Sequence, residues 1–137
     1  MLRKVVALIT LFMVVVVGGC SLLSHEAPPE DVDKATGLFF QRLDKGDYES
    51  IYNDSSKKFK QNKTREIVTE SLKQLAVNGK TVSFNRTSMP MQGEGKDRMS
   101  LPAYQVSFEQ ARGEVDLIFQ DEGGEWKLFG FSYKPHR

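Results

Sequence analysis

The sequence has little cysteine and histidine, and both shortages exclude classes of site. Its 137 residues include one cysteine and two histidines. A single cysteine excludes an intrachain disulfide and a metal site built from several thiolates. His25 and His136 lie near the two ends of the chain, whereas a metal or catalytic site needs ligands that converge on a rigid frame. We therefore expect neither a metal ion nor a cofactor.

The chain also lacks an excess of charge of one sign and the familiar catalytic motifs. Its formal net charge is +1 at pH 7, which argues against nucleic acid as a partner. It contains no HExxH, no Gly-rich phosphate loop and no Ser-His-Asp constellation. Hydrophobic residues make up 39% of the chain, which is enough for a core, and the length favours one domain.

The N-terminus has the pattern of a targeting segment. Arg3 and Lys4 precede an apolar run over residues 5–17 that only Thr10 interrupts. Such a run fits the core of a signal peptide, about 7–15 residues long. It is shorter than the ~20 residues that a membrane-spanning helix needs.

A lone cysteine follows this run. Gly18 and Gly19 stand directly before Cys20, and the segment resembles a bacterial lipoprotein signal. The resemblance implies cleavage after residues 1–19, acylation of the Cys20 sulfur and a lipid anchor that faces the periplasm. Ser21 at the next position favours the outer over the inner membrane in a Gram-negative cell. The alternative is an ordinary secretory signal with an incidental cysteine.

Residues 20–29 are predicted to be a lipidated tether, and residues 30–137 a folded domain. The tether is polar and ends in Pro28 and Pro29. At full extension it spans no more than ~30 Å. The domain is therefore expected to sit close to the membrane.

Apolar residues recur at helical spacing in the first half of this domain. The spacing predicts helices over residues 30–45 and 65–77, with two shorter helical segments between them. Asp47 and Thr64 are predicted N-caps. The apolar side of the last helix is expected to carry Ile67, Val68, Leu72, Leu75 and Ala76.

The second half changes to strand-like alternation. Strands are predicted from residue 82 to about residue 91, and around residues 104–108, 115–120 and 126–133. In the last strand Trp126 and Leu128 share one face, whereas Phe129, Phe131 and Tyr133 share the other. That pattern predicts a strand covered on both sides or placed inside an oligomer. The fold class is α+β, with N-terminal helices packed on a curved antiparallel sheet of about four strands.

Two segments carry a family resemblance. Residues 39–48 read FFQRLDKGDY, and residues 115–120 with 124–128 form a closing hairpin that contains GEWK. Both are similar to segments of the nuclear-transport-factor-2-like (cystatin-like) superfamily, and the resemblance covers residues 30–134. It implies a cone of helices around a curved sheet. That superfamily contains isomerases, dehydratases, ligand binders and protein-binding modules, so the fold does not supply the function.

The resemblance also suggests where a pocket would lie. Enzymes of this superfamily place an Asp or a Tyr inside the cone, and here Tyr48, Tyr52, Asp54 and Tyr104 are the candidates. The alternative is that the three tyrosines are core aromatics with their hydroxyls at the rim, while Asp54 caps a turn.

A short segment is rich in bases and free of acids. It holds Lys57, Lys58, Lys60, Lys63 and Arg65. These residues either form a patch for anionic lipid headgroups or an acidic polymer, or are an ordinary solvated face.

The sequence thus favours a membrane-anchored lipoprotein of the cell envelope that acts as a non-catalytic ligand- or protein-binding module. General acid–base catalysis needs a tuned group within reach of substrate, and every inward strand position that we assign is apolar or aromatic. The alternative is an isomerase-like enzyme with a cone cavity lined by Tyr and Asp. Expected partners are the membrane, through Cys20, a small hydrophobic ligand or envelope protein, and a second copy of the chain.

Overall fold

The computed structural model describes residues 29–137. The predicted signal segment, Cys20 and nearly all of the tether lie outside the described residues. Four helices come first: α1 (Pro29–Asp44), α2 (Tyr48–Asn53), α3 (Lys57–Asn62) and α4 (Arg65–Ala76). Six strands follow: β1 (Thr81–Ser88), β2 (Met91–Gln92), β3 (Met99–Ser100), β4 (Ala103–Phe108), β5 (Arg112–Glu122) and β6 (Glu125–Pro135). The α+β prediction is confirmed.

Side-chain caps start α2, α3 and α4. The Asp47 carboxylate accepts the amide hydrogen of Ser50 at 3.2 Å ahead of α2. The Thr64 hydroxyl oxygen accepts that of Ile67 at 3.3 Å ahead of α4. Both predicted N-caps are confirmed. Ser56 caps α3 in the same way, and each such cap stabilises its helix by about 1 kcal/mol.

All strand pairs are antiparallel, and β5 is the centre of the curled sheet. One side of β5 pairs with β6 along its length. The other side pairs first with β4, which carries β1, and then with β3, which carries β2. The helices cover the concave face.

The expected number of about four strands is wrong, because the predicted first strand is broken in two and the short strand β3 was not predicted. β1 ends at Ser88, and Pro90 follows. Proline has no amide hydrogen to donate to a ladder, so pairing stops there. The chain then pairs again as β2 with β3, and β3 continues to β5.

The predicted two-faced pattern of the last strand is also wrong, because β6 contains a bulge. Leu128 pairs with Phe119 and Gly130 pairs with Ile118, so Phe129 has no partner in β5. One extra residue reverses the alternation. Phe131 therefore lies on the same face as Leu128, towards the helices.

The core lies between α1, α4 and the concave face of the sheet. Phe40 of α1 stacks on Phe84 of β1 with ring centroids 4.9 Å apart, and Phe39 contacts Phe131 at 5.8 Å. From α4, Leu72 is fully buried. Burying one such side chain stabilises the fold by about 1.5–3 kcal/mol.

Candidate functional site

An apolar groove with a volume of about 290 Å³ opens between α3, α4 and β6. Phe59 of α3, Ile67 and Val68 of α4, and Phe129 and Phe131 of β6 form its walls. We call it the α3–α4–β6 groove. Its lining suits an apolar group from a ligand or from another protein.

The α4 wall follows from helical geometry. Val68, Leu72 and Leu75 occupy one row at spacings of four and three residues, and they are buried in the core. Ile67 and Ser71 form the adjacent row, rotated by one residue, and both line the groove. Ile67 was expected on the buried side, but 54% of it is exposed.

The β6 wall depends on the bulge. Phe129 and Gly130 line the groove beside Phe131, although strict alternation would place the two phenylalanines on one face and Gly130 on the other. The sequence contains one sign of this arrangement. The apolar pair Leu128 and Phe129 interrupts the alternation, but a pair of adjacent apolar residues does not tell which one is bulged.

One positive charge borders the groove. Lys63 lines it together with Asn62, and its ammonium has no carboxylate partner within residues 29–137. The Lys63 backbone is held in place because its carbonyl oxygen accepts a hydrogen bond from the Tyr52 hydroxyl at 3.1 Å. The groove is therefore apolar with a cation at its rim.

The structure does not bring the four candidate pocket residues together. Tyr48 borders a separate surface pocket with Asp44 and Lys80. The Tyr52 hydroxyl donates a hydrogen bond to the backbone carbonyl oxygen of Lys63.

Asp54 lies elsewhere, in a small pocket of about 120 Å³ between α1, α2 and β6. Its carboxylate forms an ion pair with Arg42 at 2.7 Å, and 55% of the Asp54 side chain is exposed. The carboxylate is therefore ion-paired and solvated, and no tyrosine hydroxyl is within hydrogen-bond reach of it among the described residues.

Tyr104 is the most deeply placed of the four, with 1% of its surface exposed. Its hydroxyl donates to Asp33 at 3.0 Å and lies 2.7 Å from the Thr36 hydroxyl oxygen. Arg86 contacts both oxygens of Asp33 at 2.9 Å. Burial raises the pKa of Tyr104 to about 12; the hydrogen bond to Asp33 and its charge also raise it, whereas Thr36 and Arg86 lower it. We call these four residues the Tyr104 corner.

Sequence reasoning missed the Tyr104 corner except for Tyr104 itself. Asp33 and Thr36 lie three residues apart on α1, so they share a face of the helix. That spacing is common in solvated helices, and the sequence around these two residues does not indicate that they contact a residue of β4.

Most of the basic segment is engaged within the fold. Lys58 forms an ion pair with Asp97 at 2.7 Å, and this hydrogen bond and the ammonium charge lower the pKa of Asp97. Arg65 pairs with Glu49 and lies 5.2 Å from the centre of the Tyr52 ring.

The remaining bases of that segment are less engaged. The Lys60 ammonium donates to the carbonyl oxygen of Asn53 at 2.8 Å. Only Lys57 and Lys63, of the five bases, keep ammonium groups without a side-chain or backbone partner in the described part of the chain.

Residues 29–137 place no group of three or more His, Cys, Asp or Glu where it would hold a metal ion. None of the helices in this range has the length and apolar character needed to cross a membrane.

Comparison with known proteins does not identify a family. No protein-family model matches the sequence, and no curated protein matches it significantly. The likeness to the nuclear-transport-factor-2-like superfamily therefore stays a prediction from residues 39–48 and the closing hairpin. The cone-like α+β architecture itself is observed.

Proposed function

We propose that this chain is a lipid-anchored protein of the bacterial cell envelope, with a non-catalytic binding module in residues 30–137. The α3–α4–β6 groove carries the proposal, because it combines an apolar lining with an opening to the surface. Cys20 holds the anchor, and the module faces the periplasm, at the outer membrane in a Gram-negative cell.

The size and charge of the groove limit the kinds of ligand that it could bind. Its volume of about 290 Å³ lies at the lower end of the range for small-molecule sites, about 300–1,000 Å³. It accepts a short apolar chain or one to two side chains. Lys63 at the rim favours a ligand that carries a negative charge next to its apolar part.

The catalytic alternative receives less support. A general acid or base must be exposed to the substrate and tuned near the working pH. The Asp54 carboxylate is paired with Arg42. Tyr104 is buried, and with a pKa of about 12 it keeps its proton at neutral pH. Neither residue lines the α3–α4–β6 groove.

The anchor is tested by Cys20→Ser in the full chain. We expect this change to abolish labelling with an alkyne fatty acid and to move the protein out of the membrane fraction. Ser21→Ala is the matched control and should leave both unchanged. Labelling that persists in Cys20→Ser would contradict the anchor.

The binding module is tested with decanoate, which has an apolar chain and one carboxylate. We expect decanoate to bind the full-length chain and to shift the NMR methyl signals of Ile67. Ile67→Glu should weaken binding at least 10-fold, since it places a carboxylate in the apolar wall. Val77 is 76% exposed and is not part of the groove, so Val77→Glu is the control. Equal binding by both variants, or none by the wild type, would contradict the proposed site.

A further inference from the structure

β6 is an edge strand. It pairs with β5 on one side, and the ladders of residues 29–137 place no strand on its other side. An edge strand presents amide and carbonyl groups that can pair with another extended chain. Which groups face outwards follows from the hydrogen bonds of β5.

Alternate residues of β5 point to opposite neighbours. The Leu117 amide donates to the Pro102 carbonyl at 3.0 Å, and the Asp121 amide donates to the Arg98 carbonyl at 3.0 Å. Odd-numbered residues therefore face the β4 and β3 side. In agreement, the even-numbered Arg112 accepts the amide hydrogen of His136, just past the end of β6, at 2.9 Å.

This alternation assigns the open groups of β6. Phe131 lies opposite Leu117 and Tyr133 lies opposite Val115. Both β5 residues bond in the other direction, so Phe131 and Tyr133 direct their amide and carbonyl groups away from the sheet.

One backbone amide elsewhere in the chain already forms a hydrogen bond with this edge. Leu128 lies opposite the odd-numbered Phe119, and its outward carbonyl accepts the amide hydrogen of Ser56 at 2.8 Å. Among residues 29–137, this is the one hydrogen bond from outside the sheet to a backbone group of the edge. The loop before α3 thus covers the edge only as far as Leu128.

The α3–α4–β6 groove begins where this cover ends. Phe129, Gly130 and Phe131 form one wall, and α3 and α4 form the other. A groove between an edge strand and a helix is the arrangement in which domains bind a peptide as an added strand, with backbone hydrogen bonds on one side and a pocket for alternate side chains.

The charges next to the groove indicate the sequence of such a peptide. Lys63 borders the groove. The ammonium of Lys57, on α3, has no partner within residues 29–137, while the Lys57 amide donates to the Glu122 carboxylate at 2.7 Å. Residues 57–63 contain no acidic residue. A partner with an acidic side chain beside its apolar ones complements this rim.

We propose that the groove binds an extended, acidic and apolar segment of another protein as a strand added to β6. The segment pairs with the backbone of Phe131 and Tyr133, places an apolar side chain against Ile67, and sets a carboxylate near Lys63. This inference rests on the proposed function and names the partner class of the same site.

The test begins by selecting peptides on the full-length chain from a library of random 12-residue peptides. The Ile67→Glu variant serves for counter-selection. We expect the selected peptides to alternate apolar and polar residues and to include an acid. Their affinity for the wild type should be at least 10-fold higher than for the Ile67→Glu variant. Their affinity for the control variant Val77→Glu should equal that for the wild type. Lys63→Glu should weaken them at least 5-fold.

Strand addition is separated from simple apolar binding by N-methylation of the peptide backbone. Methylation of the alternate amides that face β6 should lower affinity at least 10-fold, whereas methylation of the other set should change it little. Peptide binding should also slow hydrogen exchange at the amides of Phe131 and Tyr133.

Any of the following results would overturn the inference. They are a selection that returns no peptide sensitive to Ile67→Glu, equal effects of the two methylation patterns, or unchanged exchange at both amides. Protection of those amides that rises with protein concentration alone would assign the edge to a second copy instead, and would overturn it too. If decanoate binds and peptides do not, the inference fails while the proposed function stands.

Discussion

The helices meet the sheet in two contrasting places. At the Tyr104 corner, α1 lies on β4 and β1. The buried hydroxyls of Thr36 and Tyr104 bond to each other, and that of Tyr104 also donates to Asp33. At the α3–α4–β6 groove, apolar side chains face each other across about 290 Å³ of open space. One junction is closed by directional bonds, and the other is left open.

The difference follows from the cost of leaving each kind of group without a partner. A buried hydroxyl without a hydrogen bond costs about 1–3 kcal/mol, so the Tyr104 corner is stable only when its polar groups are paired. An open apolar wall forgoes part of the stabilisation from burial, about 25 cal/mol per Å² of apolar surface, but it leaves no polar group without a hydrogen bond. An apolar junction can therefore stay open to a ligand at modest cost to the fold.

The largest expected effect is on stability at the closed junction. Tyr104→Ala should lower the free energy of unfolding by about 3–5 kcal/mol, as for other large buried aromatic side chains. Ile67→Ala, in the open junction, should change it by less than about 1 kcal/mol because Ile67 is largely exposed. Urea denaturation measures both. Similar losses would show that the two junctions do not differ.

The next effect is a pH dependence that belongs to the closed junction alone. The pKa of Tyr104 is raised by burial from 10.0 to about 12, so the folded state holds this proton more tightly than the unfolded state. The resulting stability is present below pH 10 and is lost as the pH rises towards 12. It amounts to about 3 kcal/mol at most, at 1.36 kcal/mol per pKa unit.

Tyr104→Phe is the control for this titration, because it lacks the ionisable group. The stability difference between wild type and Tyr104→Phe should shrink between pH 10 and pH 12 in urea denaturation. Burial also raises the pKa of Tyr133, but Tyr133 is present in both proteins and cancels in the comparison. A constant difference would place Tyr104 in contact with solvent.

A smaller effect is expected from the second hydroxyl of the closed junction. Thr36 is fully buried, and its oxygen lies 2.7 Å from that of Tyr104. Thr36→Val should lower the free energy of unfolding by about 1 kcal/mol, since it removes one hydrogen bond at nearly constant shape. Thr69→Val, at a half-exposed position on α4, is the matched control. An equal loss in the two variants would show that the hydrogen bond between the two hydroxyls does not stabilise the Tyr104 corner.

The smallest effect on stability is expected at the open junction, together with a clear effect on binding. Lys63→Gln should leave the free energy of unfolding within about 0.5 kcal/mol of wild type. It should weaken the binding of decanoate several-fold and leave the binding of the uncharged decanol unchanged. Lys57→Gln tests whether any nearby base has the same effect. A loss of decanol binding in Lys63→Gln would mean that the lysine shapes the groove rather than attracts charge.

The sequence by itself determined the helices, the four longer strands and much of the core. Helical spacing located α1 and α4, Asp47 and Thr64 marked two helix starts, and alternation placed Tyr104 among inward residues of β4. These features depend on neighbours within a few positions, so local periodicity and capping chemistry suffice to find them.

Only the tertiary structure decided what surrounds these elements. The hydrogen bond from Tyr104 to Asp33 joins residues 71 positions apart. The bulge at Phe129 depends on which residues of β5 lie opposite, and the exposure of Ile67 depends on how far α3 and β6 cover α4. The groove and the Tyr104 corner are both formed by contacts between distant segments. A pattern within one segment does not predict where the other segment lies.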